Sequence, residues 1–281
     1  MRRWSEEDPR IIVIEQPRNV GYTRNINTVL RHTTADYVVI MNSDTVVTHR
    51  WLHKLHDTLA VGDRVAAVGP ISNAASWQSV PITKNADGSW ATNPLPDGVT
   101  PDIMANLVER CSEHALPLFP LLNGFCTLFR KEALERLEYF DELSFPQGYG
   151  EENDLCLRMA SAGYELRVAD HCYVYHAKSR SFGSERRATL SKESNEVLRR
   201  KHGSVDFRKL EEEMASCREL QVLRSRLSSL LLVASASGKA FEMAAVSEGR
   251  TNREREGLGR TEGFDTMKDC LHSPALTISF P

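Results

Sequence analysis

Five consecutive apolar residues, Tyr37-Val38-Val39-Ile40-Met41, run straight into the polar triplet Asn42-Ser43-Asp44. An unbroken apolar run of that length suits a strand buried on both faces of a parallel sheet. Open α/β sheets bind ligands beyond the carboxyl ends of their strands, so the run sets Asp44 at a binding edge. Two later features belong with it. Gly148-Tyr149-Gly150-Glu151-Glu152-Asn153-Asp154-Leu155 places adjacent carboxylates at the start of a helix, and His176 closes a second apolar run, Tyr173-Val174-Tyr175. Carboxylate and imidazole together suit a hard or borderline divalent cation beside phosphate oxygens. A carboxylate pair at a helix start can supply a general base.

The remaining pattern alternates strands and helices. It predicts a short buried strand over 11–14, a turn at 17–19, a helix over 23–32 and the strand over 37–41. A helix from near Thr48 carries Trp51, Leu52, Leu55 and Leu59 at helical spacing, and 65–69 forms another buried strand. Residues 70–104, rich in Pro, Asn, Asp and Gly, form a long loop suited to an acceptor region. A helix over 101–114, a strand over 125–130 and a helix over 152–162 stopped by Gly163 follow. After residue 203 the composition changes. Phe207, Leu210, Met214 and Cys217, then Leu220, Leu223, Leu227 and Leu230, keep 3–4 spacing with one break in register. That predicts an amphipathic helix over 204–240 able to self-associate through 207–232, too irregular for a coiled coil. Residues 241–281 lack periodicity and read as a disordered tail.

These residues resemble the metal-dependent family 2 glycosyltransferases, whose catalytic domain has the fold called GT-A. Asn42-Ser43-Asp44 looks like a relaxed form of the family's Asp-x-Asp strand end. Residues 150–158 are similar to its Gly-Glu-Asp-x-Asp-Leu-x-x-Arg pattern, with Glu152 in place of Asp, and His176 matches a histidine that often follows. Pro17-Arg-Asn-Val-Gly-Tyr-Thr-Arg-Asn-Ile-Asn27 looks like the donor-binding stretch. Pro70-Ile71-Ser72-Asn73-Ala74-Ala75-Ser76, Asn123-Gly124-Phe125-Cys126 and His176-Ala177-Lys178-Ser179 resemble a subgroup common in bacterial polysaccharide synthesis. The resemblance covers roughly residues 8–203. Family members normally begin with a βαβ unit ahead of the segment that starts here. The resemblance therefore implies an α/β GT-A domain over 8–203 lacking its first βαβ unit, and with it the acidic residue that holds nucleobase or ribose.

What the resemblance implies about chemistry can be set beside the plainer readings. Asp44 and His176 would hold Mg²⁺ or Mn²⁺ against the leaving diphosphate, although most such Asp residues merely open a turn and most lone histidines on strands pack. By family position Glu152 is the general base and Glu151 supports it, while helix capping explains one of them equally well. Asn19, Gly21, Arg24, Asn27, Asn42 and Ser43 are donor-site candidates. Asn73, Trp77, Gln78, Asn123, Gly124 and Asp154 are acceptor-site candidates, with core packing the alternative for Trp77; for Asp154 the alternatives are orienting its neighbours, with Arg158 as a structural partner to the acids, or a surface role. The implied reaction is inverting transfer of a sugar from a nucleoside-diphosphate donor to a hydroxyl of a glycan or lipid-linked acceptor. An inactive remnant serving as a scaffold, and a nucleotidyltransferase, stay open as alternatives. The second would be expected to carry a Gly- and basic-rich phosphate loop near its start, which is absent. A glycosidase needs two acids flanking one bond, and no second acid is placed by motif.

Composition narrows the partners. Among 281 residues, 41% are hydrophobic and 26% charged, ordinary for a soluble globular chain, and the net charge of −3 argues against nucleic acid. Six scattered cysteines without a C-x-x-C pair predict buried free thiols in a reducing, cytoplasmic setting. The longest late apolar run, 230–234, falls far short of the ~20 residues that span a bilayer.

Overall fold

The computed structural model describes residues 2–178, 184–237 and 276–277. Helix α1 (Arg2–Glu7) and β1 (Ile11–Ile12) precede α2 (Tyr22–His32), β2 (Tyr37–Met41) and the short β3 (Thr45–Val46). Then come α3 (Trp51–Leu59), β4 (Val65–Ile71), α4 (Pro101–Cys111), β5 (Cys126–Arg130) and α5 (Lys131–Arg136). The chain continues through α6 (Glu151–Ser161), β6 (Glu165–Tyr173), β7 (Tyr175–His176), α7 (Ser184–Lys201), α8 (Phe207–Ser216), α9 (Arg218–Ser237) and β8 (Leu276–Thr277).

Four strands make the central sheet, in the order β2-β5-β4-β6. The expected parallel sheet is corrected to a mixed one, because β5 runs antiparallel between β2 and β4, while β4 and β6 are parallel. Strand β4, interior to the sheet, has all seven residues buried. Neighbouring residues of β5 divide between two clusters, as the two-residue period of a strand requires. Leu128 joins Leu55 and Leu59 of α3, and Phe129 joins Leu134, Leu155 and Met159 from α5 and α6. The sheet is thus covered by helices on both faces.

Strand β2 departs from its apolar run. It lies at the sheet's edge, with Val38–Ile40 half-buried and Tyr37 and Met41 exposed, and its outer side has no partner strand among the described residues. The strand expected over 11–14 is also corrected. Only Ile11–Ile12 is extended, it pairs with Leu276–Thr277 rather than the central sheet, and Ile12 is exposed. The disorder expected over 241–281 otherwise falls outside the described residues.

The break in register near Cys217 is a joint between two helices. Asp206 caps α8 by accepting from the Arg208 and Lys209 amides, and α9 starts directly after Cys217. Met214, Leu220, Leu223 and Leu227 are buried in the cluster that includes Met104, Leu107 and Val108 of α4. The stripe expected to self-associate is therefore already covered within the chain. Of the six cysteines, Cys111, Cys126, Cys156, Cys172 and Cys217 are free and Cys270 lies outside the described residues. No described helix is long and apolar enough to cross a membrane.

Candidate active site

Asp44 follows the end of β2 and His176 ends β7, and the two meet because β3 pairs antiparallel with β7, setting Thr45 opposite His176. The Ala177 amide donates to the Asp44 carbonyl at 2.8 Å, and Asp44 Oδ1 lies 3.3 Å from His176 Nε2. The imidazole is held by two contacts and the His176 backbone by a third residue. Its Nδ1 sits 3.0 Å from the Ala74 carbonyl, which can only accept, so Nδ1 carries the proton. Phe125 stacks on the ring with centroids 5.1 Å apart and planes 16° from parallel. Asn73 accepts from the His176 amide at 2.8 Å and donates to its carbonyl at 3.0 Å. Burial pushes the His176 pKa below its usual value, against the opposing pull of the Ala74 bond and Asp44. In the neutral ring the Nε2 lone pair faces a carboxylate oxygen, two acceptors a cation can bridge. Ligands at about 2.1 Å from one ion and at right angles lie about 3 Å apart, so the pair fits two neighbouring coordination positions. No group of three His, Cys, Asp or Glu side chains among the described residues is placed to hold a metal. A magnesium-like ion commonly takes only one or two protein ligands and completes its shell with water and phosphate.

Asn73 is buried, and both ends of its amide bond the backbone of His176. Gln78 is also buried: it donates to the Pro70 carbonyl at 2.8 Å and accepts from the Asn123 amide at 2.7 Å. Neither role was legible, since each depends on partners about 45–105 residues away in the chain.

Glu151 and Glu152 open α6 after Gly150, whose φ of 121° lets the chain enter the helix. Their environments differ sharply. Glu151 is buried with Oε2 lacking any hydrogen-bond partner, and burial followed by the Glu152 charge pushes its carboxyl well above the usual range. Burial and then the same two acids push the Tyr22 phenol up as well. Glu152 is half-buried, accepts from the Gly150 amide at 3.2 Å and lines a pocket of about 180 Å³. Ser76, Trp77, Asn123, Phe207 and Met214 share that lining. Gly124 packs against the Glu152 side chain, where an added Cβ would come within 3.4 Å. The dipeptide Gly124-Phe125 therefore supports the carboxylate with one residue and the imidazole with the next.

The acid of the same motif at position 154 is paired with Arg158, as its alternative reading expected. Asp154 is 0% exposed and receives Arg158 Nε at 2.8 Å, Lys201 Nζ at 2.7 Å and His202 Nε2 at 2.8 Å. Burial alone would raise its pKa, but these three groups outweigh it and hold the carboxyl low. It joins α6 to the end of α7.

Along the donor stretch, Asn19 accepts from the Gly21 amide at 2.9 Å, and Gly21, with φ 86°, starts α2. A Cβ on Gly21 would stand 2.3 Å from the Pro146 carbonyl oxygen, so only glycine fits. Asn27 is 0% exposed, and its amide is taken up by the Phe140 backbone and Glu142. Arg24 is exposed, with Nε 3.6 Å from Glu142. Asn42 donates its amide to the Phe125 carbonyl at 2.8 Å, and Ser43 is exposed beside Asp44.

Residues 1–137 match the family model described as Glycosyl transferase family 2. The match stops short of half the chain and ends before Glu151, Glu152 and His176. No curated protein matches the chain. Among solved structures, the mannosyltransferase PcManGT from Pyrobaculum calidifontis, in complex with GDP-Man and Mn²⁺, is 18% identical at a TM-score of 0.49. GalNAc-T7 with UDP, GalNAc and Mn²⁺ is 12% identical, also at 0.49. These similarities cover 88% and 81% of this chain, which spans 65% and 45% of those two chains.

Proposed function

We propose that the chain is a GT-A-type glycosyltransferase that moves a sugar from a nucleoside-diphosphate donor to an acceptor hydroxyl, with inversion. The observation carrying this reading is Asp44 Oδ1 set 3.3 Å from an imidazole nitrogen whose ring is held by Ala74 and Phe125, with the His176 backbone clamped by Asn73. Mg²⁺ or Mn²⁺ held by Asp44 and His176 would supply electrostatic stabilisation to the departing diphosphate. Glu152, at the pocket, takes the proton of the attacking hydroxyl. Glu151, buried beside it, keeps its own proton and so leaves Glu152 the charged member of the pair. Asn19 and Gly21 shape the loop ahead of α2, and Arg24, Asn42 and Ser43 offer polar groups to the donor. Trp77, Asn123 and Gly124 stand on the acceptor side. The family match over 1–137 supports the donor half of this assignment, and the role fits glycan or polysaccharide synthesis.

The test is turnover of a donor sugar by Glu152→Gln. With donor binding kept, the rate should fall by about 10²–10⁴, the usual worth of a positioned base. An unchanged rate would remove Glu152 from the chemistry, and a larger loss in Glu151→Gln would move the base to its neighbour.

A further inference from the structure

We infer that the acceptor is a saccharide and that one of its sugar rings stacks on Trp90, a residue within the 70–104 segment but outside every motif above. This inference deepens the transferase reading and rests on it. The excursion between β4 and α4 contains a small hairpin, in which Lys84 bridges Trp90 antiparallel and the Ala91 amide donates to the Thr83 carbonyl at 2.9 Å. Its tip is tied by Asn85 N–H to the Ser89 carbonyl at 2.8 Å, and Asp87 accepts from the Ser89 amide at 2.9 Å. Its base is fastened to the site. The side chain of Asn93 donates to the Asn73 carbonyl at 2.8 Å and to the Ile82 carbonyl at 2.9 Å, and the Asn73 side chain clamps His176.

The hairpin brings Trp90 edge-on to Trp77, centroids 4.9 Å apart and planes at 87°. Trp77 lines the pocket shared with Glu152, and Arg224 of α9 holds the turn beneath it by donating to the Trp77 and Ser79 carbonyls. Trp90 is nevertheless 40% exposed. A large indole fixed in place beside a pocket, and only partly covered, offers binding area at little cost in ordering.

The chemistry around it selects the ligand. Lys84 Nζ lies 4.9 Å from the Trp77 ring and 4.8 Å from Trp90, so the indole pair already holds a cation and disfavours a cationic ligand. Asn85, Asp87 and Ser89 make the hairpin's rim polar, unsuited to an acyl chain. A pyranose matches both features. Its axial C–H groups face an indole, and its hydroxyls can accept from Lys84 beside Trp90. The ring on Trp90 is then a neighbour of the sugar whose hydroxyl faces Glu152.

The experiment uses the full chain and tetrasaccharides of glucan, mannan and chitin as probes, with binding read by saturation-transfer NMR on the sugar protons. UDP and GDP binding with Mn²⁺ is measured alongside. At least one tetrasaccharide should bind, about tenfold more weakly to Trp90→Ala, with binding largely kept in Trp90→Tyr and thermal stability unchanged in both. No response from any tetrasaccharide at millimolar concentration, or equal binding by native chain and Trp90→Ala, would overturn the inference. So would a Trp90-dependent response to hydroxyl-rich peptides with none to the sugars. Diphosphate–Mn²⁺ binding without sugar binding overturns the Trp90 site alone; the reverse overturns the donor site and leaves Trp90 standing.

Discussion

At the scale of single residues, the two adjacent glutamates show how one motif yields two chemistries. Glu151 is buried with an unpartnered oxygen, so the folded chain holds a proton that the unfolded chain releases from about pH 4.5 upward. Its contribution to stability is full below that pH and is lost as pH rises through the raised value. Relative to the native chain, Glu151→Gln should therefore gain thermal stability as pH goes from about 4 to about 8. A difference that stays flat over that range would mean Glu151 titrates normally. Gly21 is constrained by geometry instead of charge. Gly21→Ala, at positive φ and 2.3 Å from a backbone oxygen, should cost at least about 2 kcal/mol in denaturant unfolding. A loss below about 0.5 kcal/mol would show that the Pro146 carbonyl can move aside.

At the scale of elements, the site depends on contacts that join helices and strands far apart in sequence. Asp154 sits in a motif that resembles an acceptor site, yet its partners are Arg158, four residues on, and Lys201 and His202 at the end of α7. Removing it leaves three cationic or polar groups around an empty place. Asp154→Ala should cost about 3–5 kcal/mol by thermal or denaturant unfolding, whereas a near-neutral change would mean α7 is not pinned there. The sequence could suggest Arg158 as a partner of Asp154, four residues on, but not Lys201, which lies 47 residues downstream. Strand direction was hidden in the same way. The apolar runs at 37–41 and 126–130 show that strands exist, but nothing in them shows that β5 lies antiparallel between β2 and β4. By contrast, Asp44 and His176 were legible because each directly ends or follows an apolar run, and strand ends gather at one edge of the sheet.

At the scale of the molecule, α8 and α9 complete the core beside the pocket lined by Trp77 and Glu152. The 3–4 spacing over 207–230 was plain in the sequence, but spacing alone does not say whether a stripe meets its own chain or another copy. Leu223 is 1% exposed in the cluster containing α4, so Leu223→Ala should lower stability by about 2–5 kcal/mol with no change in oligomeric state. A shift in oligomeric state without loss of stability would restore the self-association reading. Arg224, on the same helix, donates to the Trp77 and Ser79 carbonyls and so couples this helix to the pocket. The account as a whole turns on whether Asp44 and His176 hold a metal for a diphosphate. The direct measurement is calorimetric titration of the full chain with UDP and with GDP, in the presence and absence of Mn²⁺, repeated with Asp44→Ala. We predict tighter binding with metal for at least one diphosphate and loss of that increment in Asp44→Ala; equal affinity with and without Mn²⁺ in the native chain would contradict it.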